Sequence, residues 1–458
     1  MEKQYISTRN ACKLCAPLGA SVALKGIEGC VPLIHGSQGC ATYIRRYMIS
    51  HYKEPVDIAS SNFSEATTVY GGSRNFITGI NNIIKQYNPK VIGIASTCLS
   101  ETIGEDLPGL IRDYKEANKD KELPTFINVS TASYCGSHID GFHNTLLAAV
   151  RSLASDKAKG DYINIFPGFV SPADIRYLKE ILDDFGISYI LFPDYSETLD
   201  NEHWKDYQLI PQGGTPVSDI IRTGGARATI ELGNVFNKGA IRNKDVSRVQ
   251  TAGEWLENAF GVKNYQMEMP IGIKSADSFF NILSQISKKS IPEKHRKERG
   301  RLIDAYVDAH KYVFGKKAMI FGEEDLVISL AGFLKEIGIE PSLIGSGGNS
   351  GILKIEIERL YAHTETPISV LSGSDFESMR EKAEELNPDI LIGNSKGYYI
   401  ARERKIPLVR LGFPIHDRFG AARLHHIGYR GTQELFDRIV NALIEYKQEN
   451  SPVGYKYI

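Results

Sequence analysis

The sequence predicts an α/β protein built from parallel sheets flanked by helices. Short runs rich in Val, Ile and Phe recur along the chain, and each ends in small or polar residues. Such uninterrupted apolar runs are typical of strands that are covered on both faces. Segments with helical periodicity lie between the runs, and this alternation indicates repeated βαβ units. The predicted strands are residues 91–95, 125–129, 162–166, 189–193, 318–322, 389–393 and 407–411.

One helix between these strands has clear start and stop signals. Ser171 followed by Pro172 starts it, and Gly186 ends it, so a helix is predicted over 171–185. At ~150 residues per domain, the 458 residues suggest three domains. Charged stretches at 157–161 and 288–301 precede fresh βα runs. We therefore divide the chain into domains 1–158, 159–300 and 301–458.

Composition argues against two classes of partner. The 54 basic and 55 acidic residues give a net charge of -1, so no broad cationic field attracts nucleic acid or anionic lipid. Basic residues at 294–301 are interrupted by acidic ones and lack interleaved aromatics, which favours a solvated helix end. No stretch approaches the ~20 apolar residues of a membrane helix. We expect a soluble, cytoplasmic protein.

The six cysteines all lie within the first 135 residues. In the cytoplasm they are expected to be reduced thiols or metal ligands rather than disulfides. Cys15, Cys40 and Cys98 stand beside residues that break or cap regular structure, and Cys98 directly follows the run 91–95, where parallel sheets place their ligands. This pattern predicts a thiolate-ligated cluster. Cys12 and Cys30 are expected to be structural.

Several longer motifs occur along the chain. They are residues 15–20, 35–40, 51–55, 97–101, 134–138, 166–174, 393–397 and 412–418. Through these segments the first domain resembles the β-type subunit of nitrogenase component 1, and the similarity continues through nearly the whole chain. The resemblance implies three Rossmann-like domains and an obligate α-type partner.

The resemblance implies a shared iron–sulfur centre. Cys15, Cys40 and Cys98 match the β-side ligands of a P-cluster-type or 4Fe-4S cluster that is shared with the α-type subunit. Ser137 matches a serine that adds its oxygen to the oxidised cluster, although a Ser in Gly-Ser-His is equally typical of a turn or a helix cap. Cys135 competes with Ser137 for that role. Thiolates suit this chemistry because soft sulfur ligands match iron and bridging sulfide.

Two surface features follow from the same resemblance. Glu54, Asp304 and Asp308 match residues that bind a divalent cation between two β-type subunits. Asp304 and Asp308 are four residues apart on a predicted helix, so their carboxylates face one way; a solvated face is the alternative. Tyr70 matches an aromatic at the docking surface of the ATP-hydrolysing Fe protein, whereas Tyr in an apolar run is more often in the core.

Two groups of glycines have different expected roles, one in the Cys40 loop and one in a glycine-rich stretch of the C-terminal domain. Gly36 and Gly39 are expected to let backbone amides approach the cluster sulfurs. The glycine-rich stretch 345–351 follows a strand and is of the kind that cradles an anion. It matches neither G-x-G-x-x-G nor the P-loop, so nucleotide binding is not expected.

Two functions stay open at this point, and with them whether the chain is part of an enzyme. Segments 9–15, 42–51 and 140–143, together with Ala16, resemble a NifN-type scaffold subunit for molybdenum–iron cofactor biosynthesis, which pairs with a NifE-like chain. The three retained thiols and Ser137 instead favour a catalytic NifK-type β subunit, with a NifD-like partner, or a subunit of a nitrogenase-like reductase. Both imply an α2β2 complex that receives electrons from the Fe protein. A metal-free α/β binding module is the third interpretation.

Overall fold

Three parallel sheets flanked by helices form the framework of the chain. The computed structural model describes residues 10–233, 250–363 and 367–454. Within these ranges every named pair of neighbouring strands is parallel, which confirms the predicted α/β class.

The first sheet has the order β2-β1-β3-β4. Strands β1 and β3 are buried at every residue, as expected for central strands covered on both faces. The strands are β1 (Cys30–His35), β2 (Ala59–Ser60), β3 (Val91–Ser96) and β4 (Thr125–Val129); the helices are α1 (Ala16–Lys25), α2 (Gln38–Tyr52), α3 (Glu65–Tyr70), α4 (Ser73–Tyr87), α5 (Cys98–Thr102), α6 (Leu107–Ala117) and α7 (His138–Leu153).

The second sheet has the order β6-β5-β7-β8. Its strands are β5 (Ile163–Phe166), β6 (Tyr189–Leu191), β7 (Ala228–Leu232) and β8 (Lys263–Met267); the helices are α8 (Pro172–Phe185), α9 (Val217–Arg222), α10 (Ala252–Phe260), α11 (Ile273–Ser287) and α12 (Glu293–Val313).

The third sheet has five strands in the order β11-β10-β9-β12-β13. Because the chain turns to the other side of β9 when it reaches β12, a crevice opens at the carboxyl ends of these two strands. The strands are β9 (Lys317–Phe321), β10 (Glu340–Gly345), β11 (Ser369–Leu371), β12 (Ile390–Gly393) and β13 (Leu408–Arg410); the helices are α13 (Glu324–Ile337), α14 (Ile352–Leu360), α15 (Phe376–Leu386), α16 (Tyr398–Arg404) and α17 (Gly428–Glu449).

The local signals in the sequence agree with these elements. All seven predicted strand runs fall on strands. The helix predicted over 171–185 is α8, in which Ser171 accepts a hydrogen bond from the Asp174 N–H and Gly186 ends the helix with a φ of 61°. None of the helices in the described ranges combines the length and apolar character that crossing a bilayer requires.

Helices cross the predicted division at residue 300. Helix α12 runs through that position, and α17 from the end of the chain contacts both α11 and α12. An ion pair between Arg430 and Glu180 (2.7 Å) also joins the C-terminal helix to α8. The domains 1–158, 159–300 and 301–458 therefore stay a prediction.

Helices α1 and α7 cross at very short range. A Cβ on Gly19 would lie 1.6 Å from the His138 carbonyl oxygen, and a Cβ on Gly141 would lie 1.9 Å from the Ala16 carbonyl oxygen. Only glycine fits at both positions, because any side chain would overlap the backbone of the other helix. The crossing holds the start of α1, where Cys15 is located, against the start of α7.

Candidate metal centre

Three thiols stand at the beginnings of three helices beside the first sheet. Cys15 is the residue that precedes α1, Cys40 lies in the first turn of α2, and Cys98 is the first residue of α5. Cys40 and Cys98 come from the loops that follow β1 and β3, which are neighbours in the sheet. All three residues are exposed. The sequence-predicted ligands therefore lie on the surface, at the carboxyl edge where α/β sheets place ligands.

The three thiols influence one another electrostatically. The pKa of the Cys15 thiol is raised to about 11, mainly by desolvation of the sulfur and in smaller part by negative charge on Cys40 and on Cys98. The Cys98 sulfur accepts a hydrogen bond from the Ser133 N–H (3.2 Å), and the Cys40 sulfur accepts one from the Ser37 hydroxyl (3.7 Å). Donors of this kind stabilise thiolate ligands.

These sulfurs are near one another without forming a site for a single ion. Across residues 10–233, 250–363 and 367–454, no group of three or more His, Cys, Asp or Glu side chains is placed to hold one metal ion. A cluster with several irons and bridging sulfides spans a larger distance than one ion. Three surface thiols of this kind fit part of a cluster ligand set that is completed from outside the chain.

Ser133 contacts two of the three thiol loops, although no motif in the sequence points to it. Its N–H binds the Cys98 sulfur, and its hydroxyl accepts a hydrogen bond from the Ala16 N–H (3.2 Å), next to Cys15. Ser137 instead caps α7: its hydroxyl donates to Asp140 (2.8 Å) and accepts from the Ile139 N–H. The ligand role of Ser137 stays a prediction.

The two glycines of the Cys40 loop differ in what surrounds them. A Cβ on Gly36 would lie 2.2 Å from the Thr97 hydroxyl oxygen, so this glycine makes room for the residue that caps α5 just before Cys98. A Cβ on Gly39 would lie 3.9 Å from the Ser37 hydroxyl oxygen, with nothing closer. Close approach at Gly36 thus brings the Cys40 and Cys98 loops together, which differs from the expected approach of amides to sulfur.

The remaining cysteines fall into two groups. Cys12 and Cys30 are buried, and burial raises the pKa of each thiol to about 12. Both lie in the protein interior, apart from the exposed edge that carries the other thiols. Cys135 is exposed in the same loop as Ser133.

The crevice of the third sheet is filled by the chain's own N-terminal segment. The Cys12 N–H donates to the Ser374 carbonyl (3.2 Å), and the Cys12 carbonyl accepts from the Gly347 N–H (3.1 Å). Lys396 donates to the Ala11 carbonyl (2.9 Å). A Cβ on Gly347 would lie 2.4 Å from the Cys12 carbonyl carbon. The glycine stretch 345–351, which is of the kind that cradles an anion, thus binds the backbone of the N-terminal segment in this structure.

The predicted cation residues are not gathered within one chain. Glu54 accepts a hydrogen bond from the Asn201 N–H (3.2 Å), and burial raises the pKa of its carboxyl. Asp304 and Asp308 are exposed on α12, beside the exposed apolar residue Val307. All three residues lie in the described part of the chain, where no three such side chains are placed to hold one ion. A cation between two copies of the chain stays a prediction.

Tyr70 lies at the surface. It is the last residue of α3 and is 87% exposed, and its neighbour Val69 is 74% exposed. Gly71 follows with a φ of 88°, and the Gly72 N–H donates to the Glu105 carboxylate (2.5 Å). Two adjacent exposed apolar side chains on a fixed turn are typical of a contact surface.

Comparison with known proteins identifies relatives over the whole chain. The family model described as nitrogenase component 1 type oxidoreductase matches residues 15–444. The nitrogenase molybdenum-iron protein beta chain of Clostridium pasteurianum is 37% identical over 438 residues, covering 95% of this chain and 93% of the relative. The nitrogenase vanadium-iron protein beta chain of Trichormus variabilis is 34% identical over 463 residues, covering 98% and 97%.

Solved structures give the same result for the fold. A chain of the structure titled "Nitrogenase Cp1 at pH 6.5" superposes with a TM-score of 0.94 at 35% identity and covers 100% of this chain and 98% of its own length. A chain of the structure titled "Nitrogenase Cp1 at pH 5" superposes with a TM-score of 0.68 at 15% identity, covering 98% and 92%. The second likeness concerns the fold alone.

Proposed function

The chain belongs to the nitrogenase component 1 type oxidoreductase family as a β-type subunit, and from this premise we propose that Cys15, Cys40 and Cys98 hold one half of an iron–sulfur cluster shared with an α-type subunit. One observation carries the proposal: three separate loops bring three exposed thiols to one edge of the first sheet. Exposed thiols at a subunit surface are what a shared cluster requires.

The neighbouring residues supply positioning and hydrogen bonds. A bound cluster of the P-cluster or 4Fe-4S type would supply one-electron transfer at this edge. The Ser133 N–H and the Ser37 hydroxyl already donate to two of the sulfurs, and such donors tune the potential of a cluster. Ser137 is the proposed oxygen ligand and Cys135 its competitor for that role, while Ser133 contacts the Cys98 sulfur through its backbone N–H.

We infer the partner subunits of this chain from its similarity to the relatives named above. A beta chain of a molybdenum-iron or vanadium-iron protein implies an alpha partner, and we propose an α2β2 complex. Tyr70 and Val69 form the proposed contact with the ATP-hydrolysing Fe protein, because both are exposed on a turn that Glu105 fixes. Asp304, Asp308 and the Glu54 region belong to the proposed β/β cation site.

Within this family we propose a NifN-type scaffold for molybdenum–iron cofactor biosynthesis, paired with a NifE-like chain. The segments 9–15, 42–51 and 140–143 support this choice. A catalytic NifK-type β subunit is the second candidate, since the relatives named above are beta chains of molybdenum-iron and vanadium-iron proteins. Retention of three thiols indicates a capacity for a cluster and does not distinguish the two uses.

Anaerobic purification of the complex with its α-type partner separates the candidates. Iron and molybdenum are measured, and acetylene and dinitrogen reduction are assayed with Fe protein and ATP. A scaffold contains iron, does not reduce either substrate, and transfers cofactor to an apo-enzyme. Turnover of dinitrogen would refute the scaffold and establish the catalytic subunit. A complex without iron would refute both.

A further inference from the structure

We propose that His138 is a positioning residue that, together with Glu323, fixes the backbone of the Cys15 loop in the geometry needed for cluster ligation. This inference rests on the proposed role of Cys15 as a ligand. It adds a residue pair, one member of which comes from the third sheet, to the machinery of the thiol centre.

Two hydrogen bonds join His138 to the residue just before Cys15. The backbone N–H of His138 donates to the Leu14 carbonyl (3.0 Å). The backbone N–H of Leu14 donates to Nδ1 of the His138 ring (3.3 Å). Both polar groups of Leu14 are therefore held by one residue. Because Nδ1 accepts this bond, the ring carries its proton on Nε2.

Glu323 holds the other side of the ring. Nε2 of His138 lies 3.2 Å from Oε1 of Glu323, and both side chains are buried. The same Glu323 oxygen accepts a hydrogen bond from the Phe413 N–H (3.1 Å), which ties it to the loop after β13. The Phe169 ring packs edge-on against His138 with centroids 5.5 Å apart and limits rotation of the imidazole. The ring orientation is thus fixed by contacts that do not involve Leu14.

The loop on the other side of Cys15 is held independently. The Ala16 N–H donates to Ser133, and α1 is locked against α7 at Gly19 and Gly141. The bond from the Leu14 N–H to the His138 ring is therefore the side-chain support nearest to Cys15 on its N-terminal side, and the Cys12 segment is the next support. Loss of the His138 ring should release Cys15 selectively, while Cys40 and Cys98 keep their supports.

Two amide substitutions separate the two ring bonds. In His138→Asn the amide oxygen takes the place of Nδ1 and can still accept from Leu14, whereas the link to Glu323 is lost. In His138→Gln the amide reaches toward Glu323, whereas the acceptor for Leu14 is lost. His143→Gln is the matched control, because His143 lies on the same helix and its Nε2 faces Asp325 at 3.5 Å.

The first measurement is iodoacetamide alkylation of the full-length chain, followed by peptide mass spectrometry, with thermal unfolding as the check on folding. We expect His138→Gln to raise the rate at Cys15 relative to Cys98 about fivefold, the factor that one hydrogen bond of typical net strength provides. His138→Asn, which keeps the acceptor for Leu14 and loses the link to Glu323, should give an intermediate ratio, and His143→Gln should stay near the wild-type ratio. An unchanged ratio in His138→Gln, a parallel increase at all three thiols, or equal behaviour of the Asn and Gln variants would overturn the proposal.

The second measurement uses the complex with the α-type partner. We expect His138→Gln to change the electron paramagnetic resonance signal of the iron and to reduce iron content, and His138→Asn to show a smaller change in both. Full iron content in a Cys15→Ala complex would refute the ligand role of Cys15 and leave the alkylation result standing. An unaltered signal and iron content in His138→Gln, when Cys15→Ala loses iron, would refute the positioning role instead.

Discussion

The carboxyl edges of the first and third sheets have the same architecture, but the first carries exposed thiols and the third is covered by a segment of the chain itself. At the first sheet, the loops after β1 and β3 end in helices that present Cys40 and Cys98 to solvent. At the third sheet, the loops after β10 and β12 enclose the chain's own segment around Cys12, which is buried. The comparison teaches that the sheet determines where a site can form, while the loops determine whether a site forms there.

Cysteine substitutions at the two edges test the contrast most strongly. Cys98→Ala should remove the iron of the shared cluster and its brown colour, with little effect on stability because the residue is exposed. Cys12→Ala should keep the iron and lower the free energy of unfolding by about 1 kcal/mol, since a small buried group is lost. Iron analysis and urea unfolding of both variants check this. Loss of iron in Cys12→Ala, or full iron in Cys98→Ala, would remove the distinction between the edges.

The close crossing of α1 and α7 is expected to be the most sensitive structural feature of the thiol edge. Gly141→Ala should lower the free energy of unfolding by about 3 kcal/mol, because the new methyl group would overlap the Ala16 carbonyl. Gly332→Ala is the matched control: it lies within α13 and no atom stands within 4 Å of its Cβ position. That variant should be neutral or more stable by up to about 1 kcal/mol. Equal effects in urea unfolding would contradict the proposed packing.

The buried carboxyl of Glu324 at the third-sheet edge should make the free energy of unfolding depend on pH. Burial raises the pKa of Glu324 from 4.5 to about 7. The folded chain therefore holds this proton more tightly, so the stabilisation is complete below pH 4.5 and is lost as pH rises through 7. Glu324→Gln should match the wild type at pH 5 and exceed its free energy of unfolding at pH 8 by on the order of 2 kcal/mol. A pH-independent difference in urea unfolding would contradict this assignment.

The smallest effect on stability is expected at the Tyr70 turn. Tyr70→Ala should change the free energy of unfolding by less than about 0.5 kcal/mol, because the side chain is exposed. It should weaken Fe-protein binding to the complex by about tenfold if the residue anchors the contact. Tyr399→Ala, also exposed, is the control and should leave binding unchanged. Titration with Fe protein measures the affinity of the complex that carries each of the two variants. Equal affinities of the Tyr70→Ala and Tyr399→Ala complexes would show that Tyr70 is not part of the docking surface.

Local patterns in the sequence predict most of the framework. The seven strand runs and the capped helix α8 depend on neighbouring residues only, and all are present. Strands of mixed composition are harder to predict. Pro32 lies within β1, and Glu231 lies within β7. The Glu231 carboxylate accepts a buried hydrogen bond from the Thr251 hydroxyl (2.6 Å). Tertiary contacts compensate for these polar groups, and a single-sequence pattern does not record them.

The site was predicted less completely than the fold. Spacing and family resemblance identified the three thiols, but no local signal separates Ser133 from Ser137 in one short loop. The fold separates their contacts, because Ser137 caps the start of α7 while the Ser133 N–H donates to the Cys98 sulfur, and the ligand role of Ser137 stays a prediction. The link from Glu323 to His138 spans 185 positions and is invisible to sequence periodicity. Residues that act through distant partners require the structure.

Anomalous diffraction at the iron edge, from crystals of the complex purified without oxygen, tests the central claim most directly. The account predicts an iron peak at the boundary with the α-type subunit, with the sulfurs of Cys15, Cys40 and Cys98 all within bonding distance of its irons. Iron bound elsewhere in the complex, with these three thiols free, would contradict it.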